Sequence, residues 1–273
     1  MSNLSIGRAW DEARQILARD GRLITSISLA LILVPQALAG VVAPPPNLSG
    51  IDPPAWMPLI TLVVLVAGII GQIAIIRLAL GPTASVRDAI NHGIGRLLPA
   101  LAALLLFGIG LALVLTPLFM LIAGGDALQG MLAGRSSPRA GGALLLILLL
   151  IIVISARFQL ILPVAAAEPG GPIHVLKRNW QITAGHYWKL LGFIALVLVT
   201  AVIVLLTAQL LGGLIAKLAV GEVQPFSLSA LIVALIAAAA QTAVTTVLST
   251  LLARIYAQLA APAATVPEVG RER

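Results

Sequence analysis

The residues of this chain best suited to chemistry crowd into one short stretch: Glu168, His174, Lys177, Arg178, His186 and Lys189. A carboxylate and an imidazole such as Glu168 and His186 are the pair a hydrolase uses as general acid and base. Histidines also bind metals, but His174 and His186 are twelve residues apart, with no carboxylate at ligand spacing beside them. Gly170 and Gly171 ahead of a helix have the composition of a phosphate-binding turn, a weak signal when two glycines alone carry it. The supporting machinery is missing. There is no Gly-x-Ser-x-Gly elbow, no Walker loop and no paired-carboxylate motif, and there is no cysteine. The last point removes thiol catalysis, disulfides, zinc–thiolate sites and iron–sulfur clusters. Glu168 reads more simply as the partner of a nearby arginine, or as the start of the turn Pro169-Gly170-Gly171-Pro172. The expectation is a protein that is not an enzyme and needs no cofactor or metal.

What must position this stretch is set by composition. The chain is 60% hydrophobic and 10% charged, with a mean hydropathy of +1.07. Soluble proteins carry about 25% charged residues, so the solvent for most of this surface must be lipid. A net charge of +7 would suggest nucleic acid in a soluble protein. Here the cations sit in short connections beside apolar runs, without stacking aromatics or a basic groove, so no nucleic-acid partner is expected.

Six apolar runs are each long enough to cross about 30 Å of hydrocarbon as a helix: 23–42, 57–80, 97–123, 143–165, 190–214 and 228–253. Strands are excluded because the runs do not alternate. Ala37-Leu38-Ala39 has the composition of a signal-peptidase site, but the long preceding region with Asp11, Glu12 and Asp20 argues for a retained helix. Fourteen lysines and arginines fall on one side of the six runs; Arg135, Arg139 and Lys217 fall on the other. By the positive-inside rule both termini are cytoplasmic. The outer connection 43–55 is proline-rich and 124–142 glycine-rich. Pro35 and Pro117 predict a kink or a helix end within their runs.

Three times a short basic stretch leads into a pair of apolar runs: at Arg22-Leu23-Ile24, Arg96-Leu97-Leu98 and Lys189-Leu190-Leu191. Each pair closes on an arginine: Arg77, Arg157 and Arg254. The pattern predicts an all-α integral membrane protein forming a single domain over 1–273. Its six transmembrane helices form three hairpins, in weak repeats 5–80, 85–160 and 172–256, with a polar tail at 261–273. Each hairpin is expected to follow a cytoplasmic amphipathic interfacial helix. In the first, Ile6, Trp10, Ala13 and Leu17 share a face meant for acyl chains. The second, 85–97, uses Val86, Ile90 and Leu97 and is weakened by Gly93 and Gly95. The third, 172–189, carries Ile173, Leu176, Trp180, His186, Tyr187, Trp188 and Lys189, with the aromatics suited to headgroup depth. Trp10, Lys177, Arg178, Trp180, His186, Trp188 and Lys189 are therefore the candidate headgroup-binding residues. Arg77, Arg157 and Arg254 either snorkel to the interface or line a shared cytoplasmic vestibule.

Polar groups within the runs include Gln72, Gln159, Gln241, Thr200, Thr207, Gln209, Thr242, Thr245, Thr246 and Ser249. They read as interhelical hydrogen-bonding groups. No Asp, Glu, Lys or His lies in the middle of a run, which weakens an ion-coupled transporter. Gly68, Gly71, Gly108, Gly110 and Ala237 to Ala240 are places for close helix approach.

Arg157-Phe158, Leu162-Pro163-Val164, Glu168, Gly171-Pro172-Ile173, Leu176-Lys177-Arg178-Asn179-Trp180, Thr183, Gly185-His186 and Trp188-Lys189-Leu190-Leu191 together resemble the membrane domain named for glycerophosphoryl diester phosphodiesterases. The opening Ala9-Trp10, leading through a charged helix into the first run, is similar as well. The resemblance implies the membrane part alone, in a bacterial cytoplasmic (inner) membrane. The soluble barrel that hydrolyses glycerophosphodiesters in that family, about 250 residues, has no room beside six spans, so no catalytic residue carries over. The function this implies is a non-enzymatic protein that organises, senses or helps move membrane lipid, with anionic headgroups as partners of the cations. Two other readings stand beside it: a small-solute transporter or channel, and a membrane anchor docking a soluble protein at its cytoplasmic face.

Overall fold

The computed structural model describes residues 4–42, 55–81, 85–132, 137–221 and 227–260. The proline-rich connection up to residue 54, the polar tail, Arg135, Arg271 and Arg273 lie outside them. The described residues are helical, with no strand. Six helical stretches are long and apolar enough to cross a membrane.

The first is α1 (Ile6–Ser28), a π-helical turn (Leu29–Leu33) and α2 (Val34–Val42) in succession. Pro35 explains the turn. It has no N–H to give the Leu31 carbonyl, and its ring crowds that carbonyl. The chain widens instead: the Val34 N–H reaches back five residues to the Leu29 oxygen. The kink expected at Pro35 thus takes the form of a π-turn just before it. Then come α3 (Met57–Leu80), with the bounds read from the sequence, and α4 (Val86–Ala123), which contains Pro99 and Pro117. At 38 residues, α4 is about 57 Å long, well beyond the hydrocarbon thickness. Helix α5 (Ala127–Leu132) is short. Next, α6 (Pro138–Phe158) breaks at Gln159 and Leu160, and the chain resumes as α7 (Ile161–Ala167). Pro163 again accounts for the break, since it cannot donate to the Gln159 carbonyl. Helices α8 (Pro172–Thr183), α9 (Tyr187–Ala219) and α10 (Leu228–Ala260) complete the chain.

Two of the three stretches expected to form interfacial helices are continuous with the spans that follow them. Ser5 caps α1 and Ser85 caps α4 through the Arg8 and Asp88 N–H groups. From those caps each helix runs unbroken out of its basic stretch into its apolar run. Much of the apolar face of the first stretch packs against protein. Ala9, Ala13 and Ile16 are buried in the protein core, Ile6 and Leu17 pack at its edge, and Trp10 is 47% exposed. Only the third stretch is a separate helix. Gly171 and Pro172 start α8, and Gly185, at φ 83, turns the chain before α9.

The hydrophobic core lies at one end of the molecule. It joins α1 along its length and Ile32 of the π-turn, the end of α3, the start of α4, α7, α8, the start of α9 and the end of α10. Helix α7 is its plug: Leu160, Ile161, Val164, Ala165 and Ala166 are buried against α3, α4, α8 and α10. Three glycines permit close approaches between helices, one of them Gly40, whose Cβ would lie 2.8 Å from that of Ala234 on the last long helix. A Cβ on Gly93 would lie 2.8 Å from the Ile70 carbonyl oxygen, and one on Gly71 would lie 3.1 Å from Ile32. A Cβ on Gly68, Gly108 or Gly110 would meet nothing within 4 Å, so those three do not mediate close contact. Toward the other end the helices touch along narrow stripes: Phe119, Ala123, Ala140 and Ala143 between α4 and α6, and Gly212 against α10. Of the polar groups expected to bridge helices, Thr246 does so, with Ser28 at 2.8 Å. Thr200 bonds the Leu196 carbonyl of its own helix, and Gln241 bonds Thr245 one turn on.

Candidate functional site

The basic stretches and the helix ends meet at the packed end. Ser5 donates its N–H to Gln258 Oε1, Lys189 donates to the Leu4 carbonyl at 3.0 Å, and Arg254 pairs with Glu12 at 2.6 Å.

The break between α6 and α7 creates the first polar cluster. With the helix interrupted, the Arg157 carbonyl needs donors away from water. It receives Asn179 Nδ2 at 2.7 Å and has Thr183 Oγ1 at 3.3 Å, a hydroxyl it shares with the nearer Asn179 carbonyl at 2.8 Å; both side chains come from α8 and are fully buried. The Arg157 guanidinium donates to the Thr183 carbonyl and lies 4.3 Å from the Trp180 ring centre and 5.7 Å from that of Tyr187. The Tyr187 hydroxyl reaches the Val153 carbonyl. Phe158 joins Phe107 to Trp180, with ring centres 4.6 and 5.8 Å apart.

The second cluster is centred on Glu168, the residue that ends α7. Arg178 Nε bonds both carboxylate oxygens at 2.9 and 3.1 Å, the Tyr256 hydroxyl donates at 2.8 Å, and His174 Nε2 is 3.5 Å away. Partial burial pushes the Glu168 carboxyl up, but the hydrogen bonds from Arg178, Tyr256 and His174 together outweigh it and hold the group below its usual range. The same bond raises Arg178. This ties α7 and α8 to α10. His92 on α4 fixes α7 from the other side through the Ala166 carbonyl at 2.7 Å.

The candidate headgroup residues therefore divide. Arg178 is committed to Glu168, and Lys189 to the start of α1. His186 precedes α9 and is half-buried. Lys177 is exposed and makes no hydrogen bond or ion pair among the described residues. Trp10, Trp180 and Trp188 are all exposed, Trp188 by 79%. The carboxylate–imidazole pairing considered from the sequence does not form: Glu168 faces His174 rather than His186. Arg77 is exposed, Arg157 serves α8, and Arg254 serves Glu12, so the partners of Arg157 and Arg254 lie on different helices. Sequence reasoning missed Tyr256, His92, Asn179 and Glu12 as organisers of this end. Tyr256 lies two residues past an arginine that closes a span, which was the available signal for it.

Six long apolar helices, with a polar network gathered at one end, place the chain in the class of multi-pass helical membrane proteins. It belongs to the family described as a domain of unknown function (DUF7847), whose model matches residues 4–259. No curated protein and no solved structure matches the chain.

Proposed function

We propose that this protein is a non-enzymatic component of the bacterial cytoplasmic membrane that organises, senses or helps move membrane lipid, with its packed, basic end on the cytoplasmic side. The carrying observation is the division of labour at that end. Glu168 is bonded by Arg178, and the Arg157 backbone and guanidinium are bonded by Asn179 and Thr183 of α8, whereas Lys177, Trp10, Trp180 and Trp188 face outward. Indole rings and ammonium groups at such a rim match lipid headgroups. In this reading α8 is the interfacial helix, the three helix pairs are diverged repeats, and the likeness to the membrane domain of glycerophosphodiester phosphodiesterases reflects a shared membrane scaffold.

Thermal unfolding in vesicles tests the reading, because a ligand that binds only the folded state raises its melting temperature. Phosphatidylglycerol in place of phosphatidylcholine is expected to raise the midpoint. Added salt should shrink the gain, as should Lys177→Gln. Equal midpoints in the two lipids would contradict it.

A further inference from the structure

We propose that the groove between α4, α6 and α8 seats one acyl chain of an anionic phospholipid whose phosphate lies against the Lys177 ammonium. This rests on the lipid reading above and gives it a location. The groove has a volume of about 490 Å³. Phe107 and Gly110 on α4 and Ile154 and Phe158 on α6 form its apolar walls, and Lys177 and Trp180 on α8 close its charged end. Those walls suit a hydrocarbon chain, because a polar occupant would lose its hydrogen bonds there. The mouth suits an anion: its cation has no carboxylate partner among the described residues. Trp180 is held by two neighbours, the Arg157 guanidinium 4.3 Å from its ring centre and the Phe158 ring at 5.8 Å. Its half-exposed indole is thereby fixed at the depth where a lipid ester group would lie.

Two other grooves give the comparison. One, between the same α4 and α6, has about 390 Å³ and is lined by Gly108, Leu115, Phe119 and Ile147 with no charged residue. Another, of about 550 Å³ between α1, α9 and α10, includes Trp10 but no cation in its wall. Of the three, the groove that ends at Lys177 alone pairs an apolar trough with a positive mouth. The trough is open at Gly110, where a Cβ would meet nothing within 4 Å. Leucine at this position adds bulk to the trough and replaces a poor helix former by a good one.

The test uses the full chain with Trp180 as its single tryptophan (W10F, W56F, W188F), in phosphatidylcholine vesicles containing phosphatidylglycerol with brominated acyl chains. Bromine quenches a nearby indole, so quenching of Trp180 should exceed that expected from the bulk mole fraction of brominated phosphatidylglycerol. Brominated phosphatidylcholine should give only the bulk value. Gly110→Leu should return quenching to the bulk value, and Gly108→Leu, which fills the uncharged groove, should leave it raised. Lys177→Gln should remove the preference for phosphatidylglycerol. Bulk-level quenching in the parent, or equal effects of the two leucines, would overturn the proposal. Bound phosphatidylglycerol counted by native mass spectrometry separates the failures. Retained lipid with no preference at Trp180 removes this groove but keeps the lipid reading; no retained lipid removes both.

Discussion

At the scale of single residues, the polar network makes sharp and separable demands. Asn179 is fully buried and caps a carbonyl exposed by a helix break. Asn179→Ala removes the donor and leaves the Arg157 oxygen with the longer Thr183 bond, so it should cost about 2 kcal/mol, read as a lower unfolding midpoint in detergent. Glu168 gives a pH signature. Its folded-state pKa is lowered, so its pairing contributes fully above the ordinary carboxylate value. That contribution is lost as the pH falls through the lowered one. Glu168→Gln should lose about 1 kcal/mol near neutral pH, discounted for partial exposure, and should flatten the fall in stability on acidification. A variant that melts with the wild-type pH profile would contradict this. These roles were partly legible. The motif around Arg157, Glu168, Arg178 and Thr183 stood out in the sequence, and Glu168 was read there as an arginine's partner. Tyr256 and His92 could not be found that way, because their partners are brought to them by helices distant in the chain.

At the scale of elements, helix interruptions and glycine contacts decide the geometry. Pro35 yields a π-turn and Pro163 a break, whereas Pro99 and Pro117 stay within α4. Proline composition alone does not separate these outcomes, since each depends on whether neighbours re-satisfy the released carbonyl. The interfacial stretches show the same limit. All three looked alike as basic amphipathic segments, yet only the third is bounded by Gly171-Pro172 and by a left-handed Gly185. The first two flow into their spans. Glycine contacts give the contrast to measure. Gly93→Ala should destabilise by about 1–3 kcal/mol, because its methyl group would press on the Ile70 backbone. Gly108→Ala, with open space around it, should stabilise by up to about 1 kcal/mol. Unfolding midpoints for the two in the same detergent should move in opposite directions.

For the molecule as a whole, the number and approximate placement of the six apolar helices were readable, because hydrocarbon thickness sets a minimum length for any run that crosses it. Which half packs was not readable. A leucine facing lipid and a leucine facing a neighbouring helix satisfy the same composition, so uniform apolar runs hide the concentration of the core at one end. The proposed orientation follows from the distribution of charge and is open to a direct check. The chain contains no cysteine, so any introduced cysteine is a unique label site. An impermeant thiol reagent applied to intact spheroplasts should label Gly125→Cys and spare Arg87→Cys until the membrane is opened. The reverse pattern would invert the protein and move Lys177 and the exposed tryptophans to the other leaflet. The most direct measurement of the central claim is native mass spectrometry of the protein released gently from its own membrane, with the retained lipids identified. The account predicts a defined number of anionic phospholipids, reduced in Lys177→Gln. A protein that emerges bare, or with lipids in the proportions of the bulk membrane, would contradict it.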